Sequence, residues 1–71
     1  MNPFRAKRIA NHFSGSPHFR AKHTLDGVTI NYMDIQIHFE DEHYLWEFLN
    51  SIGEHTQQQH FIKEAAEKLI N

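Results

Sequence analysis

The chain has 71 residues, of which 39% are hydrophobic and 23% are charged, with a formal net charge of −2 and no cysteine. A chain of this length forms one small domain, residues 1–71, that buries only about 60% of its unfolded surface, so an enclosed substrate pocket would use up much of its core. Without cysteine it has no disulfide and no thiolate zinc ligand. Without an apolar run of about 20 residues or a signal-peptide core, it has no predicted membrane contact.

The ends of the sequence suggest a complete protein, and its charges are unevenly placed. It begins at Met1 and stops soon after its last predicted helix, so we expect a free-standing cytoplasmic protein. Residues 1–23 contain five Lys or Arg and no acid, whereas residues 24–71 contain two Lys and all nine acids. The domain is therefore expected to be basic at its start and acidic afterwards.

The first predicted element is a helix over residues 3–13. Asn2 can cap it, and Pro3 suits the first helical position, where its missing N–H would be unpaired in any case. The apolar stripe consists of Ala6, Ile9, Ala10 and Phe13. The opposite face is basic and amphipathic in pattern, and it carries Phe4, Arg5, Arg8 and His12.

The second predicted element is a β-hairpin over residues 18–39 with its turn at residues 26–27. The Asp26-Gly27 dipeptide readily adopts the positive φ angles of a tight turn, and β-branched and aromatic residues flank it. Alternation in the second arm predicts a buried face of Met33, Ile35, Ile37 and Phe39. It predicts an exposed face of Tyr32, Asp34, Gln36 and His38. Val28 and Ile30 have the opposite parity, which indicates a bulge or strong twist near Asn31.

Two further helices are predicted, over residues 42–52 and 57–70. Asp41 can cap the first of them and Gly53 can end it. Thr56 followed by Gln59 matches a capping box at the start of the second. Because a two-stranded hairpin is marginal alone, the helices must cover one of its faces. The sequence therefore predicts an α+β fold in the order α-β-β-α-α, with one β-hairpin packed against three helices.

Histidine spacing gives no metal site. Three pairs stand five residues apart, namely His18 with His23, His38 with His43, and His55 with His60. Five residues along a helix leave side chains roughly 140° apart, and an odd offset on a strand places them on opposite faces. A site could still assemble from His38 and a carboxylate of Glu40 or Asp41, without any spacing that indicates it. We predict no metal and no cofactor, with pH sensing near the histidine pKa of about 6.5 as an alternative.

No catalytic residue is predicted. Candidate nucleophiles exist at Ser14, Ser16 and Ser51. No nucleophile elbow, phosphate loop or cofactor fingerprint organises them with a base. The acids at Glu40, Asp41 and Glu42 could act as paired carboxylates in acid–base chemistry, but an N-cap with acids near the positive end of a helix explains them better. We therefore expect a protein that is not an enzyme.

Nucleic-acid binding by the first helix and first strand is the alternative function. The candidate contact residues are Arg5, Lys7, Arg8, His12, Arg20 and Lys22. Phe4 and Phe19 can stack on bases beside them. Few cations and an acidic remainder weaken this hypothesis, because the acids repel phosphate. A helix-turn-helix around Gly53 is a further alternative, although its second helix has no arginine.

Trp46 suggests protein binding. It lies about 130° from the centre of the apolar stripe on its helix, and its polar neighbours there are His43, Glu47 and Asn50. A tryptophan among polar groups is typical of an interface hot spot. The alternative is that Trp46 packs under the hairpin or the first helix. The exposed strand face offers a second predicted surface, made of Tyr32, Asp34 and Gln36.

These surfaces lead to the expected function. Both are aromatic and acidic, so we expect a larger protein partner with a basic surface. The protein would dock on it as an inhibitor or as an accessory subunit. By analogy, small proteins without a catalytic site are often encoded by phages or mobile elements and block a host nucleic-acid-handling or defence enzyme. Homodimerisation through the exposed edge of the hairpin is a third alternative.

Overall fold

The computed structural model describes residues 1–70 and contains three helices and a three-stranded antiparallel sheet. In chain order the elements are α1 (Pro3–Phe13), β1 (Arg20–His23), β2 (Val28–Tyr32), β3 (Ile35–Phe39), α2 (Glu42–Thr56) and α3 (Gln59–Ile70). The predicted α+β fold is confirmed. The order is α-β-β-β-α-α rather than α-β-β-α-α, because the predicted second arm of the hairpin folds into two strands. Among residues 1–70, no helix has the length and apolar character that crossing a membrane requires.

Two helix starts follow the sequence signals. The side-chain oxygen of Asn2 accepts hydrogen bonds from the backbone N–H groups of Phe4 and Arg5, at 2.8 and 3.4 Å. Asp41 accepts one from the N–H of His43 at 2.8 Å. Both side chains satisfy N–H groups that have no partner inside the helix, which is why α1 and α2 begin where they do.

The β1–β2 turn is centred on Leu25 and Asp26, one residue before the predicted Asp26-Gly27, and its glycine serves a different purpose. The turn spans residues 24–27, and the Thr24 hydroxyl accepts from the Gly27 N–H at 3.1 Å and donates to the Asp26 carboxylate at 3.0 Å. Gly27 does not adopt a positive φ. A Cβ at this position would collide with the backbone carbonyl of Phe39, so glycine is needed for close approach to β3.

A second tight turn replaces the bulge expected near Asn31. Tyr32 pairs with Ile35, so Met33 and Asp34 form a two-residue turn, with Met33 at φ 55°. Residues that pair directly across antiparallel strands share a face. This reversal explains why Val28 and the apolar residues of β3 have opposite parity in the sequence yet lie on the same side of the sheet.

The boundary between α2 and α3 differs from the prediction. Gly53 does not end α2 but lies buried inside it, where an added Cβ would come within 3.1 Å of the Ile62 side chain. Thr56 does not cap α3, because its hydroxyl donates to the Ile52 carbonyl at 2.7 Å within the last turn of α2. The last residue of α2 is Thr56, and the residue that caps its end is Gln57, in the left-handed conformation at φ 63°.

The core lies between one face of the sheet and the helices. α1 contacts β1 and β2, α2 contacts β3, and α3 packs on both other helices. The fully buried large side chains are Phe13, Ile9, Ile30, Leu45, Leu49, Ile62 and Val28. The strand register places the other residues on the outer face of the sheet, and these are Arg20, Lys22, Thr29, Asn31, Gln36 and His38. The helix-covered face of the sheet thus contributes to the apolar core, whereas its outer face carries polar and charged side chains.

Candidate protein-interaction site

Trp46, the residue that suggested a hot spot, is part of the core. Its side chain is 7% exposed, and its ring meets Phe13 of α1 at 6.0 Å between centroids. Its indole N–H donates to the Glu42 carboxylate at 3.1 Å. α1 crosses the side of α2 that a single apolar stripe leaves out, so the alternative that Trp46 packs under the first helix is confirmed. Trp46 offers no exposed surface to a partner.

The polar neighbours of Trp46 remain exposed without it. His43, Glu47 and Asn50 lie on the outer side of α2. The imidazole Nε2 of His43 is 3.5 Å from the Glu47 carboxylate, a pair one helical turn apart. Such exposed pairs contribute little to stability. This polar helix surface lacks Trp46, but the exposed ring of Tyr44 lies beside it, with 5.4 Å between the His43 and Tyr44 ring centroids.

The second predicted surface does not form. Tyr32 pairs with Ile35, is half-buried and packs against the core on the helix-covered face, whereas Gln36 lies on the outer face and Asp34 in the turn. The error comes from the hidden turn at residues 33–34, because alternation places residues correctly only within one strand. Met33 and Ile35, predicted to be buried, are exposed: Met33 lies in the turn, and Ile35 lies at the end of β3 next to it. The expectation of a partner with a basic surface rested on these two surfaces and loses its basis.

Much of the basic face of α1 is engaged within the protein. Arg5 forms a bidentate pair with Glu42, at 2.7 and 2.9 Å, and donates to the Leu69 carbonyl. Arg8 donates to the Lys68 carbonyl at 3.3 Å. These bonds tie α1 to the start of α2 and to the end of α3. Arg5 is therefore engaged within the fold, whereas Arg8 remains exposed with one bond to α3.

The remaining basic candidates lie in three separate places. His12 is half-buried and stacks on Phe61, with 6.2 Å between ring centroids. Arg20 and Lys22 point to the outer face of the sheet, and Lys7 lies beside the β1–β2 turn. The structure thus brings Arg20 and Lys22 together but does not join them to the α1 cations in one surface.

The Arg5–Glu42 pair controls the charge state of Glu42. The hydrogen bonds from Arg5 lower the pKa of the Glu42 carboxyl below its ordinary value, and the bond from the Trp46 N–H acts in the same direction against the effect of burial. The pKa of Arg5 is raised in turn, chiefly by the same hydrogen bonds. Both groups stay ionised, so the pair is structural.

An apolar groove lies between the start of α1 and the β1–β2 turn. Phe4 on one side is 86% exposed, and Leu25 on the other is 94% exposed. The groove has a volume of about 420 Å³ and is lined by Pro3, Phe4, Lys7, His23, Thr24 and Leu25. None of these side chains is acidic. We call this feature the Phe4–Leu25 groove.

Hydrogen bonds hold the two walls of the groove in place. The terminal amine of Met1 donates to the backbone carbonyls of Asp26 and Glu40, at 3.2 and 2.7 Å, which fixes the start of α1 beside the turn. Thr24 bonds to Gly27 across the turn, its N–H donating to the Gly27 carbonyl and its hydroxyl accepting from the Gly27 N–H, so Leu25 is held at the tip, away from the core. The groove is therefore formed before any partner arrives.

The sequence pattern places Phe4 outside the apolar stripe of α1 and does not mark Leu25. What the sequence could not supply was the approach of α1 to the turn, which brings Phe4 and Leu25 to one groove. Comparison with protein-family models, with curated proteins and with solved structures finds no match for this chain.

Proposed function

We propose that this chain is a small non-enzymatic protein that docks on a larger protein through the Phe4–Leu25 groove. The observation that supports the proposal is that two large apolar side chains from separate elements lie almost wholly in solvent on either side of one cleft. The core uses neither of them. Burial of one such side chain contributes about 1.5–3 kcal/mol, so Phe4 and Leu25 together can anchor a complex.

The charges around the groove define the partner segment. Lys7 and His23 line it. We therefore propose a partner segment with an apolar side chain that enters the groove and with carboxylates that face Lys7 and His23. Complementary charge of this kind chiefly raises the association rate and the specificity. By docking, the protein would either inhibit the larger protein or serve as its accessory subunit.

Affinity capture from a lysate of the source organism, treated with nuclease, tests the proposal. The bait is the intact protein, compared with Phe4→Ser, Leu25→Ser and the matched control Met33→Ser. Met33 is 79% exposed and lies at the other end of β2, so it has similar apolar exposure outside the groove.

We expect one captured protein that binds the wild type and Met33→Ser equally. Each groove variant should bind it about 10-fold or more weakly, the factor that the lost apolar burial implies. Equal capture by all four baits would refute the groove as the docking site.

The outer face of the sheet supports a second candidate, nucleic-acid binding. Arg20 and Lys22 stand beside their cross-strand partners Asn31 and Thr29, which places two cations and two hydrogen-bonding side chains on one exposed face. Charge reversal with Arg20→Glu and Lys22→Glu would abolish binding of single-stranded RNA or DNA in a salt-dependent assay. The same variants should leave capture through the Phe4–Leu25 groove intact, which separates the two functions.

A further inference from the structure

Three potential metal ligands converge beside the β1–β2 turn. Asp26, His38 and Glu40 each offer one ligand atom, and these atoms all lie within 4.8 Å of one another. His38 lies in β3, and Glu40 directly follows the last residue of that strand. Asp26 reaches them from the neighbouring turn, because Val28 pairs with Phe39 and brings the two chain segments side by side. The cluster is thus built from two segments that are distant in sequence.

The imidazole of His38 is held in the orientation that a metal ligand needs. Its Nε2 lies 3.0 Å from the Asp26 carboxylate, and its Nδ1 lies 3.0 Å from the hydroxyl of Thr29, its partner across the β2–β3 pair. A ligating histidine typically uses its other ring nitrogen in such a hydrogen bond, which fixes the ring. In a metal-bound form the Nδ1–H would donate to the Thr29 hydroxyl, and Nε2, which faces the Asp26 carboxylate here, would lose its proton and bind the ion. Thr29 stands outside the cluster and supplies this support.

We propose that Asp26, His38 and Glu40 bind a divalent first-row transition-metal ion of the Zn²⁺ type, with solvent completing its coordination. One imidazole and two carboxylates suit Zn²⁺, whereas Ca²⁺ and Mg²⁺ favour oxygen ligands alone. In tetrahedral coordination, bonds of 2.0–2.2 Å place ligand atoms roughly 3.4 Å apart. The distances between the ligand atoms therefore need to shorten by about 1 Å, and rotation of the exposed carboxylates allows this change.

The ion would join the β1–β2 turn to β3 beside the Phe4–Leu25 groove. Asp26 follows Leu25 directly, so a metal bridge from Asp26 to β3 would further restrain the turn that carries Leu25. Restraint of a binding loop in its bound form reduces the entropy lost on docking. None of the three ligands lines the Phe4–Leu25 groove, so metal binding does not depend on protein binding there.

Calorimetric titration of the tag-free protein with ZnCl₂ at neutral pH tests the site. The variants are His38→Gln, which removes the nitrogen ligand, and Thr29→Val, which keeps the shape of the strand residue but removes the supporting hydroxyl. The matched control is His60→Gln. His60 lies 3.1 Å from the Glu64 carboxylate, which reproduces the His38–Asp26 pair without a third ligand.

We expect one-to-one Zn²⁺ binding that His60→Gln leaves unchanged. Thr29→Val should weaken it about 10-fold, as loss of a supporting hydrogen bond does in other metal sites, and His38→Gln should weaken it more. Substitution by Co²⁺ should give a visible absorption band that is absent in His38→Gln. The proposal is overturned if no one-to-one binding occurs, if His38→Gln binds like the wild type, or if His60→Gln loses as much affinity as His38→Gln. Circular dichroism of each variant ensures that a loss of binding is not a loss of fold.

Discussion

Arg5 and Glu42, which are 37 positions apart in the chain, form a bidentate ion pair that joins the first turn of α1 to the first turn of α2. Both side chains are about three-quarters buried. The indole N–H of Trp46 donates to Oε2 of Glu42, the oxygen that also accepts a hydrogen bond from Arg5. One carboxylate thus binds a cation and a core aromatic residue. The basic face of α1 and the acids at the start of α2, which the sequence shows as separate features, are two halves of this contact.

Replacement of Glu42 by glutamine should destabilise the fold. Glu42→Gln keeps the size of the side chain but removes the charge that Arg5 and Trp46 share, and we expect the free energy of unfolding to fall by about 1–3 kcal/mol. Urea denaturation measures it. The matched control is Glu47→Gln, also on α2, whose carboxylate is exposed and pairs with the exposed His43. A Glu42→Gln effect no larger than that of Glu47→Gln would contradict the structural role of the pair.

The same carboxylate predicts how stability changes with pH. Its pKa is lower in the folded protein than in the unfolded chain, mainly because of the hydrogen bonds from Arg5. The stabilisation is therefore complete above the unfolded glutamate pKa of about 4.3 and is lost as the pH falls through the lower folded value. Urea midpoints between neutral pH and about pH 3 should show wild type and Glu42→Gln converging at the acid end. A constant difference over this range would be inconsistent with the prediction.

Gly27 and Gly15 should respond to alanine in opposite ways. A Cβ at Gly27 meets the Phe39 carbonyl, a backbone atom that cannot rotate away, whereas nothing lies within 4 Å of a Cβ at Gly15. We expect Gly27→Ala to lower the free energy of unfolding by about 1–3 kcal/mol. Gly15→Ala should be neutral or add up to about 1 kcal/mol, because alanine restricts the unfolded chain. Thermal unfolding of the two variants decides it, and equal effects would argue against the close approach of the turn to β3.

The features that could be predicted from the sequence are those fixed by neighbouring residues. Asn2 and Asp41 cap helices through bonds to N–H groups two or three positions away. The turn near Asp26 is marked by its own dipeptide. The turn at Met33 could not be predicted, because methionine at positive φ carries no turn signal and the hydrophobic pairing of β2 with β3 imposes it.

The site residues depend on contacts between distant segments. Trp46 is buried because α1 crosses a side of α2 that the helix pattern alone assigns to solvent. The cluster of Asp26, His38 and Glu40 and the meeting of Phe4 with Leu25 both require the β1–β2 turn to lie beside other elements. Spacing rules consider one element at a time, and therefore they found neither arrangement.

Substitution of Trp46 should lower the free energy of unfolding, whereas substitution of Phe4 should leave it nearly unchanged. Trp46 packs on Phe13 within the core, so Trp46→Ala removes a large buried ring and should lower the free energy of unfolding by about 3–5 kcal/mol. Phe4→Ser alters a side chain that is 86% exposed and should change that free energy by about 0.5 kcal/mol or less. Urea denaturation of both variants gives these values. A large loss of stability in Phe4→Ser would show that Phe4 belongs to the core, and the apolar groove would then lack one of its walls.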